Sequence, residues 1–350
     1  MSGLDGVVDL DALTGWLHAQ GLGSGPVTDA TLLAGGTQNI LVRFSIDDQV
    51  HVLRRPPRNP RPKSAANLLR EARILGALTD QPVPSPALHA TCADESVLGA
   101  PFFLMEAIDG FHAASDVPEL HLSRADLRRR MGLSAVEGIA AVAALDHEDL
   151  GLADFGKPDG FLERQVGRWL GELASYAEHD GYDPASFPDV TAISGWLEAG
   201  IPTTFRPGIV HGDFHAANLL FCHDSGEVAA ILDWEMATIG DPLLDLGWFV
   251  ATWPSDRAPA VSAAVGRLAH AGDLASRAEL IEHYASRSDR DLSRVDWYGV
   301  LACFKLAIVL EGSYARACAG KTDQGVGDFL RSMALALVEQ AHLFMDEGVV

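Results

Sequence analysis

Basic residues and cysteines are scarce in this sequence, and each shortage argues against a class of function. The 350 residues contain 26 Lys and Arg against 48 Asp and Glu, a formal net charge of −22. Because such a surface repels phosphate backbones and anionic lipids, binding to nucleic acid or to a membrane is not expected. The cysteines show no C-x-x-C spacing and lie in apolar stretches, which predicts reduced thiols in a cytoplasmic protein. They are Cys92, Cys222, Cys303 and Cys318.

Targeting and membrane-spanning segments are also lacking. Residues 1–16 have neither the basic start nor the continuous apolar core of a signal peptide. The apolar run over 297–310 is interrupted by Lys305, which argues against a membrane span. No internal repeat or low-complexity linker is visible. With 48% hydrophobic residues the chain can bury one large core or two, so a two-lobed enzyme or a pair of domains is expected.

The hydrophobic pattern changes along the chain from strand-like to helical. Alternation predicts an antiparallel hairpin over 40–54, and helical spacing predicts a helix over 65–79, with Ser64 as its N-cap. A buried strand is predicted over 101–108. From about residue 125 long helical patterns dominate. The sequence therefore predicts an α+β fold with a small β-rich N-terminal lobe (1–108) and a larger, mainly helical C-terminal lobe (109–350).

A polar motif stands among apolar residues in VHGDFHAANLLF, residues 210–221, and a second one follows in AAILDWE, residues 229–235. Two short strands joined by a turn would bring Asn218 near Asp233, and these two side chains offer the hard oxygen ligands that Mg²⁺ prefers. Asp213 is then free to accept a proton from a hydroxyl group. The motifs predict metal-assisted phosphoryl transfer. The alternative interpretation is that these polar side chains only cap turns.

A charged residue interrupts the apolar face of the predicted helix 65–79. Glu71 shares that face with Leu68, Leu75 and Leu78. An unpaired buried carboxylate is costly, so Glu71 needs a cation, and Arg54 at the end of the preceding strand is the natural partner.

The two polar motifs closely resemble the catalytic loop and metal-binding segment of aminoglycoside phosphotransferases and choline kinase-like enzymes, relatives of the protein kinases. VLRRPP (52–57) and GLADFGKPDGFLERQVGRW (151–169) are most similar to the kinase-like domains that accompany some acyl-CoA dehydrogenases. The resemblance implies a protein kinase-like two-lobed fold, with ATP as phosphoryl donor. It implies Asp213 as catalytic base and Asn218 and Asp233 as Mg²⁺ ligands.

The same resemblance implies roles for further residues. His211 would organise the catalytic loop, and Asp245 would hold that loop by backbone hydrogen bonds. Arg54, braced by Glu71, would contact the α- and β-phosphates at a position where most kinases have lysine. The remaining candidates are a glycine turn at the phosphates (Gly35, Gly36, Thr37, Gln38 and Asn39), backbone groups at the adenine edge (Glu106 and Ile108) and residues on the acceptor side (His215, Glu235, Arg164 and Gln165).

The predicted function is an ATP-dependent small-molecule kinase whose acceptor is a hydroxyacyl-CoA or a related metabolite. The basic segment from Arg54 to Arg73 would then meet the phosphates of CoA. Three alternatives stay open. The first is an aminoglycoside or other antibiotic kinase, because an acidic C-terminal lobe suits a polycationic acceptor. The second is an inactive nucleotide-binding module, which Arg54 favours, and the third is a metal-dependent hydrolase with ligands among His211, Asp213, His215 and Asp233. The sequence does not predict the oligomeric state.

Overall fold

The computed structural model describes residues 7–33, 39–57, 60, 62–254 and 266–350. The chain divides into two compact units. The first unit is Met1–Asp109 together with Ala229–Ala237, and the second is Gly110–Val228 together with Thr238–Val350. Ala229–Ala237 lies within the predicted C-terminal lobe, yet in the structure it packs with the first unit. One reason is a backbone hydrogen bond of 2.7 Å from Ile231 N to Pro84 O.

The first unit is built on a five-stranded antiparallel sheet with the strand order β1-β2-β3-β5-β4. The predicted hairpin is present as β2 and β3, and its turn residues Asp47 and Asp48 have φ values of 47° and 64°. Both φ values are positive, as a two-residue turn that follows the twist of the strands requires. The elements of this unit are α1 (Leu10–Ala19), β1 (Thr28–Leu32), β2 (Ile40–Ile46), β3 (Gln49–Arg55), α2 (Ser64–Leu78), β4 (Leu88–Cys92), α3 (Glu95–Leu98) and β5 (Phe102–Glu106).

Alternation along β2 buries Val42, Phe44 and Ile46 in a core that α1 closes with Leu13 and Leu17. This core fixes the register of the sheet, because a slip of one residue would turn the apolar side chains of β2 to solvent.

The predicted helix is α2, and its apolar face is buried with Glu71 on it. The prediction of Ser64 as N-cap is wrong. Ser64 is the first helical residue, and the N-cap position is Lys63, whose backbone is left-handed and whose side chain makes no capping hydrogen bond.

The second unit is mainly helical. Its short strand β7 (Gly208–Val210) pairs antiparallel with β10 (Thr238–Gly240), which places Val210 opposite Thr238. Strand β6 (Phe111–His112) pairs antiparallel with β8 (Leu219–Phe221). Strand β9 (Val228–Ile231) passes from the second unit into the first. The other elements are α4 (Glu119–Ser123), α5 (Ala125–Ala144), α6 (Glu163–Ser175), α7 (Thr191–Ala199), α8 (Leu243–Thr252), α9 (Gly266–Ala271), α10 (Arg277–Ala285), α11 (Val295–Cys318) and α12 (Gln324–Glu347).

The predicted α+β class is confirmed, with a sheet-rich first unit and a mainly helical second unit. All four cysteines have free thiols. Within the described ranges, the helices are all too short or too polar to cross a membrane.

Candidate active site

The predicted site residues fall into two groups, one in each unit. Asp213, Asn218, His211, His215 and Asp245 belong to the second unit. Arg54, Glu71, Asp233 and Glu235 belong to the first unit.

In the second unit, the loop after β7 is held by a buried carboxylate. Asp245 lies in the first turn of α8 and is 3% exposed. Its Oδ2 accepts a hydrogen bond from His211 N at 2.6 Å, and its Oδ1 accepts one from Gly212 N at 2.8 Å. Gly212 has φ of +87°, a left-handed conformation that glycine adopts without strain. Asp245 thus makes the contacts that the resemblance implies for it, and it fixes the backbone immediately before Asp213.

Burial raises the pKa of Asp245, because a charged carboxylate is disfavoured away from water, whereas His211 and the two backbone N–H groups lower it. Both oxygens can accept hydrogen bonds fully only in the ionised form, so the backbone contacts favour the carboxylate.

Asp213 has a carboxylate that is one-third exposed and lies beside His215. Its Oδ1 lies 3.4 Å from His215 Nε2. Burial raises the pKa of Asp213, but the contact with His215 and the charges of His215, His211 and Lys305 outweigh burial and lower this pKa to about 2. Asp213 is therefore ionised at neutral pH and can accept a proton.

Asn218 is oriented by Asp213. Its Nδ2 donates to Asp213 O at 2.9 Å and to Asp213 Oδ2 at 3.1 Å. Since the amide nitrogen makes these contacts, the amide oxygen Oδ1 is left without a hydrogen-bond partner among the residues that the structure describes. A pinned carboxamide with a free oxygen is a suitable ligand for a hard cation.

In the first unit, one guanidinium group contacts three carboxylates. Arg54 Nε lies 3.0 Å from Glu71 Oε2, so the predicted pair is present. Arg54 Nη2 lies 2.7 Å from Asp233 Oδ1 and 3.6 Å from Glu235 Oε2. Burial raises the pKa of Glu71, Arg54 opposes that rise, and the carboxylates of Asp233 and Glu235 add to it. Three carboxylates around one cation leave an excess of negative charge that favours binding of a further cation.

Asp233 combines an unusual backbone with partial exposure. It has φ of 64° and ψ of 62°, and its side chain is 36% exposed. Asp233 is not glycine, so this left-handed backbone costs energy. Such strain is common at functional sites. The contact with Arg54 uses Oδ1 and leaves Oδ2 without a hydrogen bond or salt bridge to the described residues.

Several other predicted residues make contacts within their own segment. The N–H of Glu106 donates to Ala87 O at 2.9 Å, so it is used within the sheet. Arg164 donates to Asp159 O, and to Lys157 O at 2.6 Å. Gln165 Nε2 donates to Phe161 O at 3.0 Å. Of the predicted glycine turn only Asn39 is described, since Gly35, Gly36, Thr37 and Gln38 lie outside the described residues, and Ile108 lies in the loop after β5.

Lys305 lies beside the catalytic loop, although it was not among the predicted site residues. Lys305 Nζ donates to Gly212 O at 2.8 Å. It lies 4.2 Å from the ring centroid of Trp248 and 5.5 Å from that of Trp169. The signal was present in the sequence: Lys305 interrupts an apolar helix, as Glu71 does, and a charge in such a position needs partners.

Comparison with known proteins shows what family this arrangement belongs to. The profile described as "Phosphotransferase enzyme family" matches residues 29–280. The chain belongs to this family. As a family member it is a phosphotransferase of the kinase type with an alcohol group as acceptor, which confirms the predicted enzyme class. The catalytic loop and the Asp233 segment both lie within the matched residues.

The predicted similarity to acyl-CoA dehydrogenase-associated kinase domains is also confirmed. The chain is 30% identical to human acyl-CoA dehydrogenase family member 11 over 323 residues, which are 89% of this chain and 40% of that protein. It is 28% identical to mouse acyl-CoA dehydrogenase family member 10 over 306 residues, 85% of this chain and 28% of that protein. The chain thus spans less than half the length of these relatives.

Solved structures confirm the protein kinase-like fold predicted for this phosphotransferase. A Ralstonia eutropha protein described as a candidate aminoglycoside phosphotransferase matches with a TM-score of 0.75 and 26% identity, covering 96% of this chain and 99% of that one. An aminoglycoside-3'-phosphotransferase of type VIII matches with a TM-score of 0.55 and 17% identity, covering 84% and 98%. At this lower identity the likeness is one of fold alone.

The hydrolase alternative finds no support in the side chains. In the described parts of the chain, no group of three or more His, Cys, Asp or Glu is arranged to hold a metal ion. A hydrolytic transition-metal site needs about three such protein ligands. A Mg²⁺ ion that bridges to phosphates needs only one or two carboxylates, because it keeps several waters.

Proposed function

We propose that this phosphotransferase transfers the γ-phosphoryl group of ATP to a hydroxyl group of a small-molecule acceptor, with Asp213 as the catalytic base. The observation that carries the proposal is the structure of the loop. Asp213 is ionised, and buried Asp245 holds the backbone of His211 and Gly212 immediately before it. Asp213 also orients Asn218, whose amide oxygen has no hydrogen-bond partner among the described residues.

In the transfer step, an oxygen of Asp213 accepts the proton of the acceptor hydroxyl. The hydroxyl oxygen forms a bond to the γ-phosphorus while the bond from that phosphorus to the β–γ bridging oxygen breaks, and ADP leaves with the electron pair. A carboxylate with a pKa near 2 is a weak base. It suits a loose transition state, in which the nucleophile is positioned first and its proton moves late.

Asn218 and Asp233 are the residues that would hold Mg²⁺, each through the oxygen that makes no contact with described side chains. When bound, Mg²⁺ neutralises charge on the phosphates of ATP. Asp233 fits this role because it belongs to the carboxylate-rich cluster around Arg54, where a further cation relieves repulsion.

Arg54 is proposed to contact the α- and β-phosphates. Its Nε remains on Glu71, and Nη2 exchanges the carboxylate of Asp233 for a phosphate oxygen. Arginine presents its donors as a planar fork, so it can keep a brace on one side and bind an anion on the other. This argues against an inactive module, because arginine retains the charge and geometry that the step needs.

The proposed acceptor is a hydroxyacyl-CoA or a related metabolite. The similarity to acyl-CoA dehydrogenase family members 10 and 11 supports this choice. The basic segment proposed to meet the phosphates of CoA is only partly described, since Arg58 and Arg61 lie outside the described residues. The description of the Ralstonia protein favours a second candidate, an aminoglycoside acceptor.

The free thiols support a reducing, cytoplasmic location.

The acceptor assignment is tested by incubating the enzyme with Mg·ATP and a panel of hydroxyacyl-CoAs, simple hydroxy acids and aminoglycosides. We expect ADP formation with the hydroxyacyl-CoA class and a phosphorylated product by mass spectrometry, and no turnover when EDTA removes divalent metal. Turnover of aminoglycosides alone would contradict the acceptor. Acceptor-dependent turnover that persists in EDTA would contradict the role of Mg²⁺.

A further inference from the structure

A small group of donors surrounds Lys305 in the second unit, close to the proposed catalytic base. Lys305 comes from α11, Trp169 from α6 and Trp248 from α8. The ammonium lies over the Trp248 ring at 4.2 Å, within the range of a cation–π interaction, and it contacts the backbone immediately before Asp213 through Gly212 O. This group therefore lies where part of an acceptor bound at Asp213 can reach.

The two cations of this group, Lys305 and Arg168, lie outside ion-pair distance of the carboxylates that the structure describes. Neither Lys305 nor Arg168 forms a salt bridge with any described carboxylate. Arg168 lies with Cζ 5.0 Å from the centroid of the Trp169 ring, although acidic residues outnumber basic ones by 48 to 26 in this chain. The carboxylates of Asp213 and Asp245 are near enough to raise the pKa of Lys305, but neither lies within ion-pair distance of its ammonium. Two positive groups beside one indole therefore remain available to a bound anion.

The cost of holding Lys305 charged shows in its pKa. The pKa of Lys305 is lowered to about 8: burial is the main cause, Asp213 and Asp245 oppose the decrease, and nearby Arg168 adds to it. A part-buried ammonium with one hydrogen bond has two N–H groups left. An incoming anion would satisfy them and further favour the charged form.

The indole rings add two more unused donors. Trp169 Nε1 and Trp248 Nε1 are buried without hydrogen-bond partners among the described residues, and the two residues are 6% and 5% exposed. Buried indole N–H groups usually have a partner. Ammonium, guanidinium and indole N–H groups are all donors, so the matching ligand is an acceptor of hydrogen bonds that carries negative charge.

We propose that Lys305 and Arg168 bind a negatively charged group of the phosphoryl acceptor while the acceptor hydroxyl lies at Asp213. This inference rests on the proposed function and assigns its acceptor class: a hydroxyl compound that bears a carboxylate or a phosphate. A polycationic acceptor is disfavoured, because two unpaired cations beside the base repel it. Trp169 and Trp248 contribute their ring faces and N–H groups.

The test uses two matched pairs of acceptors that share one hydroxyl. 3-Hydroxybutyrate and its neutral amide differ in the carboxylate. 3-Hydroxybutyryl-CoA and 3-hydroxybutyryl-pantetheine differ in the 3′-phospho-ADP portion, which carries all the phosphates of CoA. Initial rates of ATP consumption are measured for the wild-type enzyme, Lys305→Met, Lys305→Arg, Arg168→Gln and the exposed-lysine control Lys321→Met. Methionine keeps the unbranched stem of lysine without its charge, and thermal melting verifies that each variant folds.

We expect Lys305→Met to raise KM for the anionic member of the preferred pair about tenfold to a hundredfold, the range for a hydrogen bond to a charged group. KM for the neutral member should stay within about twofold, because it gains nothing from the charge. Arg168→Gln should act in the same direction with a smaller effect, since Arg168 is exposed. Lys305→Arg should retain the preference, and Lys321→Met should match wild type. The pair that responds identifies the anion as carboxylate or CoA phosphate.

Three results would overturn the inference. If Lys305→Met impaired turnover of anionic and neutral acceptors equally, Lys305 would only support the Gly212 backbone. A rise in KM for ATP, shared by every acceptor, would place the γ-phosphate at Lys305 instead. An unchanged preference in Lys305→Met would show that the ammonium does not select the acceptor.

Calorimetry separates this inference from the proposed function. If no acceptor is turned over, wild-type protein is titrated with 3-hydroxybutyrate and with 3-hydroxybutyryl-CoA in the absence of nucleotide. Binding that Lys305→Met abolishes would support the anion site although the kinase proposal fails. Absence of binding to both compounds would overturn the site.

Discussion

The carboxylate of Asp245 should determine how well the catalytic loop is held, and Asp245→Asn tests this with almost no change in shape. In the wild-type protein its two oxygens accept from His211 N and Gly212 N at 2.6 and 2.8 Å. Asparagine offers only one oxygen, so its NH₂ group must face a backbone N–H. One hydrogen bond to a charged group is lost and one buried N–H is left without a partner.

The expected loss of stability follows from these two terms. A hydrogen bond to a charged group contributes about 1.5–3 kcal/mol, and an unsatisfied buried donor costs about 1–3 kcal/mol, so we expect Asp245→Asn to lower the free energy of unfolding by about 3–5 kcal/mol. Urea unfolding followed by circular dichroism measures it. The matched control is Asp346→Asn at an exposed position of α12, which should change stability by less than about 0.5 kcal/mol.

The same variant should lose turnover, because Asp213 follows directly after the released backbone. Refutation would come from an Asp245→Asn protein that loses less than about 1 kcal/mol and keeps wild-type kcat, since the two backbone contacts would then not hold the loop.

Three further predictions follow from single contacts. Arg54→Ala should lower the free energy of unfolding, measured in urea, by about 3–5 kcal/mol, because Glu71 stays buried without its counter-charge. Arg54→Lys keeps the charge and should lose far less stability. Equal losses of stability in the two variants would argue against a charge effect. Glu137→Gln should cost about 1–3 kcal/mol at pH 7, since Arg130 donates to both oxygens of Glu137 at 2.9 and 2.6 Å. The pKa of Glu137 is lowered from 4.5 to about 2, so this stabilisation is complete above pH 4.5 and disappears as the pH falls through 2. The stability difference between wild type and Glu137→Gln should therefore be smaller at pH 3 than at pH 7. An unchanged difference at pH 3 would contradict the prediction. Lys305 has a pKa lowered to about 8, so it is charged below that pH and neutral above it. KM for anionic acceptors should therefore rise between pH 7 and 9 in the wild-type enzyme, but not in Lys305→Arg. A KM of wild type that does not change with pH would contradict the prediction.

Local patterns in the sequence were enough to predict the hairpin and the buried ion pair. Period-two alternation and a two-residue turn define β2 and β3. Glu71 was recognised because a carboxylate on an apolar helix face needs a cation, and Arg54 lies nearby in sequence. In both cases the information lies within about 30 residues, so it could be used without knowing how distant segments pack.

The features that were missed depend on packing between distant segments. Trp169, Trp248 and Lys305 come from three helices, and no spacing rule indicates that these helices meet around one ammonium. The N-cap of α2 was predicted wrongly for a local reason: Lys63 adopts a left-handed backbone, so the helix begins at Ser64 and the hydroxyl has no capping role. A serine near a predicted helix start can be either the N-cap or the first helical residue, and its position in the sequence does not show which.

The measurement that tests the central claim most directly is the effect of Asp213→Asn on kcat and on the Kd of Mg·ATP, with whichever acceptor wild type uses. Asparagine keeps the shape and removes the proton acceptor. The account predicts that kcat falls by about 10²–10⁴-fold, the usual contribution of a general base, while the Kd changes by less than about threefold. Wild-type kcat in Asp213→Asn would contradict the assignment of Asp213 as the catalytic base.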